Sequence, residues 1–277
     1  MILQTMTPEE KACQAKRIEF DIDLSVLSWI EHNKRMLKKR QSYPYTHVIK
    51  RSYKNMGEWN IIIEFPVKPR FAKDFDLYIS AYQKYYVTRS RKAENIGCGV
   101  YFVSRSYHGE NKFRIFELTP HYFNRYRERF VNRMGLDDIS FSDLILFVQQ
   151  EIRLPLFING EKLDKSLDEK FYDSLNLPRY KGYDNFAAFS SNGLSLGYGL
   201  KNGDFMCFLT FLGEQDLHDT QSAFYHLSLG FKDLADRICV DGHSWSAFEL
   251  SSAVSNLLKQ VEQQYGIDFT GKNKNWH

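Results

Sequence analysis

One histidine and two arginines near the middle of the chain have the residue types and the spacing to act on a phosphodiester. His121, Arg125 and Arg129 recur at intervals of four residues, so on a helix they lie along one side. An imidazole can transfer a proton, and guanidinium groups can stabilise the negative charge that develops on a phosphate. The first turn, where His121 falls, also attracts anions through the helix dipole. The pattern predicts metal-independent phosphodiester chemistry, with these three residues as the candidate catalytic groups.

The same polar side also fits an ordinary solvated helix face. Glu128 follows Arg125 by three residues, a spacing at which a carboxylate and a guanidinium form a surface ion pair. Such pairs are common on exposed helices. In this alternative the helix is structural and carries out no chemistry.

The element that must position these side chains begins at Thr119 and Pro120. Threonine is favoured at a helix N-cap, and proline is favoured at the first helical position. The apolar residues that follow are spaced for the opposite side of the helix, and they are Tyr122, Phe123, Tyr126, Phe130 and Met134. The spacing predicts an amphipathic helix whose apolar side packs on the core.

The stretch 116–130 also resembles a known helix. Its Thr-Pro-His start, followed by Arg-Tyr and then Arg-Phe, is similar to the His…Arg…Arg helix of BrnT-type bacterial toxins and their relatives, which have a RelE-like ribonuclease fold. The resemblance implies a ribonuclease with His121, Arg125 and Arg129 as its site. In such families the sheet after the helix carries a further basic residue, and between Phe186 and Leu212 this chain has only Lys201, at a predicted turn.

A second feature is a basic stretch with tyrosines interleaved. No acidic residue occurs between Lys34 and Gly57, and Tyr43, Tyr45 and Tyr53 lie within this stretch. Basic residues with aromatics are typical of nucleic-acid binding, in which the cations contact phosphates and the rings stack on bases. The candidate nucleic-acid-binding residues are Lys38, Lys39, Arg40, Lys50, Arg51 and Lys54. The alternative is a solvated surface that only favours solubility.

Charge divides unevenly along the chain although the net formal charge is only +3. Residues 1–140 carry 25 Lys and Arg against 16 Asp and Glu, whereas residues 141–277 carry 12 against 18. The first half would attract nucleic acid or an acidic protein partner, and mutual attraction of the two halves explains the division equally well.

Cysteine usage and hydropathy indicate a cytoplasmic protein. The four cysteines are far apart, without the Cys-x-x-Cys spacing of redox or zinc sites, so we expect reduced thiols. The first ten residues lack the basic and apolar segments of a signal peptide, and no apolar run is long enough for a membrane span. We expect no membrane association.

We expect no metal ion and no other cofactor. His218 and His226 share the face of a predicted helix, and Asp241 and His243 follow. Two ligands at helical spacing without a third in reach do not define a metal site.

The N-terminal segment 1–42 is predicted to be helical. Thr7, Pro8 and Glu10 form a capping-box sequence that starts a helix running to about Ile18. Asp23 is then predicted to cap a second helix, whose apolar stripe consists of Leu24, Leu27, Ile30 and Leu37.

Hairpins are predicted in both halves of the chain. Segments 45–53 and 58–65 form the first hairpin, and 99–107 and 112–118 form a second that leads into the central helix. Segments 186–189, 194–199 and 205–212 form a meander, because Asn-Gly turns join them. In segment 74–88 the helical spacing of Phe75, Tyr78, Ile79, Tyr82 and Tyr86 favours a helix, whereas the tyrosine content favours a strand. We predict a helix here.

These elements predict an α+β fold with an antiparallel sheet built from hairpins and helices packed on it. We expect a single domain over residues 1–277, with hairpins and the central helix in 43–155 and the meander with C-terminal helices in 183–277. Helices are predicted after Ser140, over 214–229 and over 244–265. For function, the residues leave open a metal-independent ribonuclease or nucleic-acid-binding protein and a non-enzymatic protein-interaction or structural role.

Overall fold

The computed structural model describes residues 2–66, 68, 77–89, 94–105, 113–136, 138–153, 156–159, 183–190, 192–240 and 246–266. The fold is α+β, with helices and a mostly antiparallel sheet, as predicted. The described helices are α1 (Pro8–Lys39), α2 (Pro120–Tyr126), α3 (Phe141–Arg153), α4 (Asp219–Val240) and α5 (Ala247–Tyr265). The described strands are β1 (Tyr45–Tyr53), β2 (Gly57–Phe65), β3 (Tyr78–Arg89), β4 (Glu94–Arg105), β5 (Phe113–Leu118), β6 (Leu156–Asn159), β7 (Asp184–Ser190), β8 (Gly193–Gly199) and β9 (Phe205–Gly213).

Two compact units make up the chain. The first comprises Met1–His121 and Gly199–Phe208, and the second comprises Tyr122–Tyr198 and Leu209–His277. In the first unit the strand order is β1-β2-β3-β4-β5-β9, and β5 pairs with β9 in parallel, Ile115 opposite Phe205. In the second unit the order is β9-β8-β7-β6.

Helix α1 covers one face of the sheet in the first unit. The Trp29 and Phe65 rings lie 6.3 Å apart between α1 and β2, and Ile18, Ile22 and Val26 are buried on the same side of the helix. The predicted capping box at Thr7 and Glu10 is present. Burial of this continuous apolar side stabilises the helix on the sheet.

The prediction of two N-terminal helices is wrong, because α1 runs without a break from Pro8 to Lys39. Asp23 lies inside the helix. Its preference for a cap is weaker than the packing of Ile22 and Val26 on either side of it. The predicted stripe is also wrong in part: Ile30 is buried, whereas Leu24 and Leu27 are exposed.

The helix predicted over 74–88 is a strand from Tyr78 onwards, and 74–76 lie outside the described residues. Strand β3 lies between β2 and β4, and its residues 79–83 are buried on both faces, with Ala81 0% and Tyr82 4% exposed. A strand buried on both faces loses the alternation of apolar and polar residues that identifies most strands. The β propensity of tyrosine and isoleucine was therefore the more informative signal.

The predicted hairpins of β1 with β2 and of β4 with β5 are confirmed. Between β1 and β2 the turn contains Asn55 at φ 65° and Gly57 at φ 77°, backbone conformations that these two residue types tolerate. The predicted meander is confirmed in β7, β8 and β9, which are neighbours in that order. The predicted Ser140 cap is confirmed, since its hydroxyl accepts the Asp143 amide at 3.2 Å.

The central helix changes its winding after α2. A π-helical turn at Arg127–Val131 follows, then a 3₁₀ turn at Asn132–Met134, and Gly135 ends the helix at φ 71°. The predicted burial of Tyr122, Phe123 and Tyr126 is confirmed, but Met134 is exposed and Val131 is buried instead. A π turn holds one residue more than an α turn, so it rotates the following residues away from the expected face.

In the second unit the helices after the meander pack in two places. Phe224 and Tyr225 of α4 lie against Leu194 and Leu196 of β8. Val261 of α5 packs against Ala223 and Leu227 of α4. The predicted C-terminal helices are thus present as α4 and α5, with a 3₁₀ turn at Glu214–Asp216 before α4.

Candidate functional site

His121 is the second residue of α2, and its side chain is exposed. Arg125 lies one turn further along the same helix and is partly exposed. Nη1 of Arg125 is 2.8 Å from Oε2 of Glu128. The surface ion pair that the sequence predicted is therefore present, although an exposed pair at this spacing contributes only about 0.3–0.5 kcal/mol.

Arg129 lies on the π-helical turn and makes structural contacts. Its Nη1 donates a hydrogen bond to the Phe211 carbonyl at 2.7 Å, and its Nε lies 3.6 Å from Oδ2 of Asp216. Arg133 approaches the same carboxylate at 3.1 Å. The two arginines attach the π turn to the end of β9 and to the 3₁₀ turn behind it. A contact between Arg129 and a substrate remains a prediction.

Most of the candidate nucleic-acid-binding residues are exposed. Lys38 and Lys39 are exposed at the C-terminal end of α1, and Lys50, Arg51 and Lys54 are exposed on β1 and the turn after it. Arg40 is half-buried, with its guanidinium 3.7 Å from the centre of the Tyr45 ring. Lys50 lies 3.0 Å from Glu58 in an exposed ion pair.

The interleaved tyrosines take part in packing within the first unit. Tyr43 donates to the Leu37 carbonyl at 3.0 Å, and Tyr45 stacks on Phe65 with ring centres 6.1 Å apart. The Tyr53 hydroxyl lies 2.7 Å from the Ser25 hydroxyl, and burial raises the pKa of Tyr53. These contacts hold the three tyrosine rings within the fold of the first unit.

His47 belongs to the same stretch but adds no positive charge at neutral pH. Its ring stacks on Trp29, with centroids 4.3 Å apart. Burial lowers the pKa of His47 below its usual value of 6.5.

A buried polar cluster that was not predicted lies between α1 and the sheet of the first unit. Nζ of Lys11 is 2.6 Å from Oε2 of Glu117, and the Tyr85 hydroxyl donates to Oε1 of Glu117 at 3.1 Å. The Lys11 ammonium also lies 5.3 Å from the Tyr101 ring centre and 5.5 Å from that of Phe205. Burial, reinforced by the Glu117 charge, raises the pKa of Tyr85 strongly.

One sequence signal could have located part of this cluster. Glu117 stands between Phe116 and Leu118 in a predicted strand, and a carboxylate in such a setting needs a cation or a hydrogen-bond donor. Nothing local distinguishes Lys11 from the other lysines of α1, because 106 residues separate it from its partner.

A second ion pair holds α1 within the first unit. Nζ of Lys16 lies 2.9 Å from Oδ2 of the buried Asp204, which also accepts from the Asn202 side chain at 3.0 Å. The hydrogen bond and charge of Asp204 raise the pKa of Lys16. Asp204 follows the Asn-Gly turn between β8 and β9, so the predicted turn also positions a buried carboxylate.

The histidines of α4 make contacts within the second unit. Nε2 of His226 lies 3.1 Å from Glu214, and its Nδ1 lies 2.6 Å from the Tyr265 hydroxyl of α5. His218 is exposed. Within the described ranges, no three His, Cys, Asp or Glu side chains are grouped so as to hold a metal ion. Asp241 and His243 lie outside those ranges.

Lys201, the basic residue considered for the ribonuclease-like sheet, is exposed in the turn between β8 and β9. No helix in the described part of the chain combines the length and the apolar composition needed to cross a membrane. The chain matches no protein-family model, no curated protein and no solved structure.

Proposed function

We propose that the protein binds single-stranded RNA along a basic track formed by Lys38, Lys39, Arg40, Lys50, Arg51 and Lys54. The observation that supports this best is their exposure: five of these six side chains are exposed on neighbouring elements of one unit. No acidic residue interrupts the sequence between Lys34 and Gly57.

The track has a length suited to several nucleotides. The Tyr43 and Leu37 contact places the C-terminal end of α1 beside the start of β1, and Lys54 directly follows the end of β1. A nine-residue strand spans about 26 Å at about 3.3 Å per residue. Cations spread over such a distance can contact successive phosphates of one strand.

Binding along this track should depend weakly on base sequence. Tyr43, Tyr45 and Tyr53 are engaged in packing, so the principal contacts are between cations and phosphates. Phosphate contacts hold the chain on the ligand without reading bases. The side chains of Lys50 and Glu58 are both exposed. A phosphate can replace the Glu58 carboxylate beside Lys50, because exposed ion pairs contribute little to the free energy of folding.

Cleavage of the bound RNA at His121 is the second candidate function. It is supported by the exposed imidazole one turn before Arg125 and by the resemblance of 116–130 to the helix of BrnT-type toxins. His121 would act as acid or base, and Arg125 would leave Glu128 to stabilise charge on the phosphate. Arg129 would keep the helix in place through Phe211 and Asp216.

A binding titration tests the proposal. Fluorescence anisotropy of an end-labelled single-stranded RNA is measured with the full chain and with Lys50→Ala/Arg51→Ala/Lys54→Ala. The matched control is Lys201→Ala/Arg237→Ala/Lys259→Ala, which removes the same charge from exposed positions elsewhere. We expect the track variant to bind at least tenfold more weakly than the control. Equal affinity of the two variants would contradict the proposal.

A further inference from the structure

Helix α1 exposes apolar residues at the centre of its solvent-facing side. Phe20 is 69% exposed, Leu24 is 50% exposed and Leu27 is 55% exposed. At about 100° per residue these three side chains fall within about 60° of one another, opposite the buried side that contains Ile22. A helix packed on one side only should carry polar residues here. We call Phe20, Leu24 and Leu27 the outer stripe.

The charges at the two ends of the outer stripe are opposite and equidistant from its centre. Arg17 precedes Leu24 by seven residues, and Glu31 follows it by seven. Both side chains are exposed, and both fall on the same side of the helix as the stripe. Each lies about 10 Å from Leu24 along the axis, at about 1.5 Å per residue.

We propose that the outer stripe is the interface of a two-fold homodimer in which α1 packs antiparallel against α1 of a second copy. An axis through Leu24 sets Leu24 against its equivalent and sets Arg17 of each copy opposite Glu31 of the other. A two-fold interface must be complementary to itself. The opposite charges of Arg17 and Glu31 at the two ends of the outer stripe make it self-complementary. A parallel pair would instead oppose Arg17 to Arg17 and Glu31 to Glu31.

The helix dipoles favour the same arrangement. Antiparallel helices place the negative end of one dipole beside the positive end of the other. Glu31 also lies 3.3 Å from Lys34 in an exposed pair within its own helix. That pair is weak, so Glu31 can take part in both contacts in the dimer.

Sedimentation velocity of the full chain gives the first test. The wild type should sediment as a dimer at about 100 μM. Leu24→Glu should be monomeric, because two carboxylates would meet on the axis. The control is Leu3→Glu, at a leucine that is 47% exposed outside the helix, and it should remain dimeric. Since both positions are exposed, both variants should keep the wild-type circular dichroism spectrum.

Charge reversal tests the antiparallel register. Arg17→Glu and Glu31→Arg should each weaken self-association about tenfold, since each creates two like-charged pairs in its own dimer. The double variant Arg17→Glu/Glu31→Arg should recover the wild-type dimer. An equimolar mixture of the two single variants should form a heterodimer by native mass spectrometry, because every facing pair is then opposite in charge.

The inference is overturned by a wild-type monomer at that concentration, or by a dimer that Leu24→Glu leaves intact. The antiparallel register about Leu24 is contradicted if the two single variants self-associate as tightly as the wild type. It is also contradicted if their mixture forms no heterodimer. Either result would exclude the proposed pairing of Arg17 with Glu31 across the dimer axis.

Discussion

The ammonium of Lys11 and the carboxylate of Glu117 form an ion pair of 2.6 Å inside the first unit, with only 7% and 10% of their side chains exposed. The pair joins the first turns of α1 to β5, the strand that leads into α2. Tyr85 adds a third polar group from β3. Helix α1, which carries both the outer stripe and one end of the basic track, is therefore attached to the sheet by a buried charge pair.

Loss of one member of this pair should be costly. Lys11→Met leaves the Glu117 charge buried beside Tyr85 alone, and we expect a loss of about 3–5 kcal/mol in the free energy of unfolding. The double variant Lys11→Met/Glu117→Gln should recover most of that loss, because Gln still accepts from Tyr85. Urea unfolding followed by the fluorescence of the buried Trp29 and Trp59 measures both effects. Additive losses in the double variant would show that the pair is not coupled.

Because of His47, the free energy of unfolding should decrease as the pH is lowered. Burial lowers the pKa of His47 in the folded chain below the unfolded value of 6.5. The stabilisation is complete above pH 6.5, and it is lost as pH falls below 6.5 towards the folded pKa, since only the unfolded chain then takes up the proton. The His47→Phe variant keeps a ring against Trp29. Between about pH 7.5 and about pH 5.5, two values on either side of 6.5, it should lose less free energy of unfolding than the wild type. Identical urea midpoint shifts in the two proteins would exclude His47 as a cause.

Arg129 should matter for the structure of the central helix. Arg129→Ala leaves the Phe211 carbonyl without its 2.7 Å donor, and we expect a loss of about 1–3 kcal/mol. Arg125→Ala is the control, since its exposed pair with Glu128 should contribute at most about 0.5 kcal/mol. Amide hydrogen exchange over 127–134 should be faster in the Arg129 variant alone. Unchanged exchange in both would remove the positioning role.

The sequence was sufficient where local chemistry determines the structure. Turn residues such as Asn55 and Gly57, and the Thr7 capping box, identify hairpins and helix starts without long-range information. The sequence was not sufficient where packing decides the structure: residues 79–83 of β3 are buried on both faces, and Asp23 lies within a helix stabilised by its neighbours. The π turn after Tyr126 and the pairing of Lys11 with Glu117 depend on residues far apart in the chain, so no local pattern could have predicted them.

Some features of the candidate site could likewise be predicted from the sequence, and others could not. The exposure of the basic track agrees with its composition, because lysines in a polar stretch seldom bury their charge. The inward packing of Tyr43 and Tyr53 could not be predicted, since it depends on where α1 lies against β1.

The ribonuclease candidate has its own test. RNA is incubated with the purified chain in EDTA, beside His121→Ala/Arg125→Ala and the control Asn124→Ala, at an exposed position of the same helix. If His121 acts as acid or base, the double variant should cleave about 10²–10⁴-fold more slowly than the control. Intact RNA in every lane, with binding retained, would limit the function to binding.

The salt dependence of RNA binding reports how many phosphates the basic track contacts. The slope of log K against log salt concentration should fall in magnitude by about 0.7 for each phosphate contact removed from a single strand. Lys50→Ala/Arg51→Ala/Lys54→Ala should therefore reduce the slope by about 2, and Lys201→Ala/Arg237→Ala/Lys259→Ala should leave it unchanged. A slope reduced equally in both variants, or in neither, would contradict a basic track along α1 and β1.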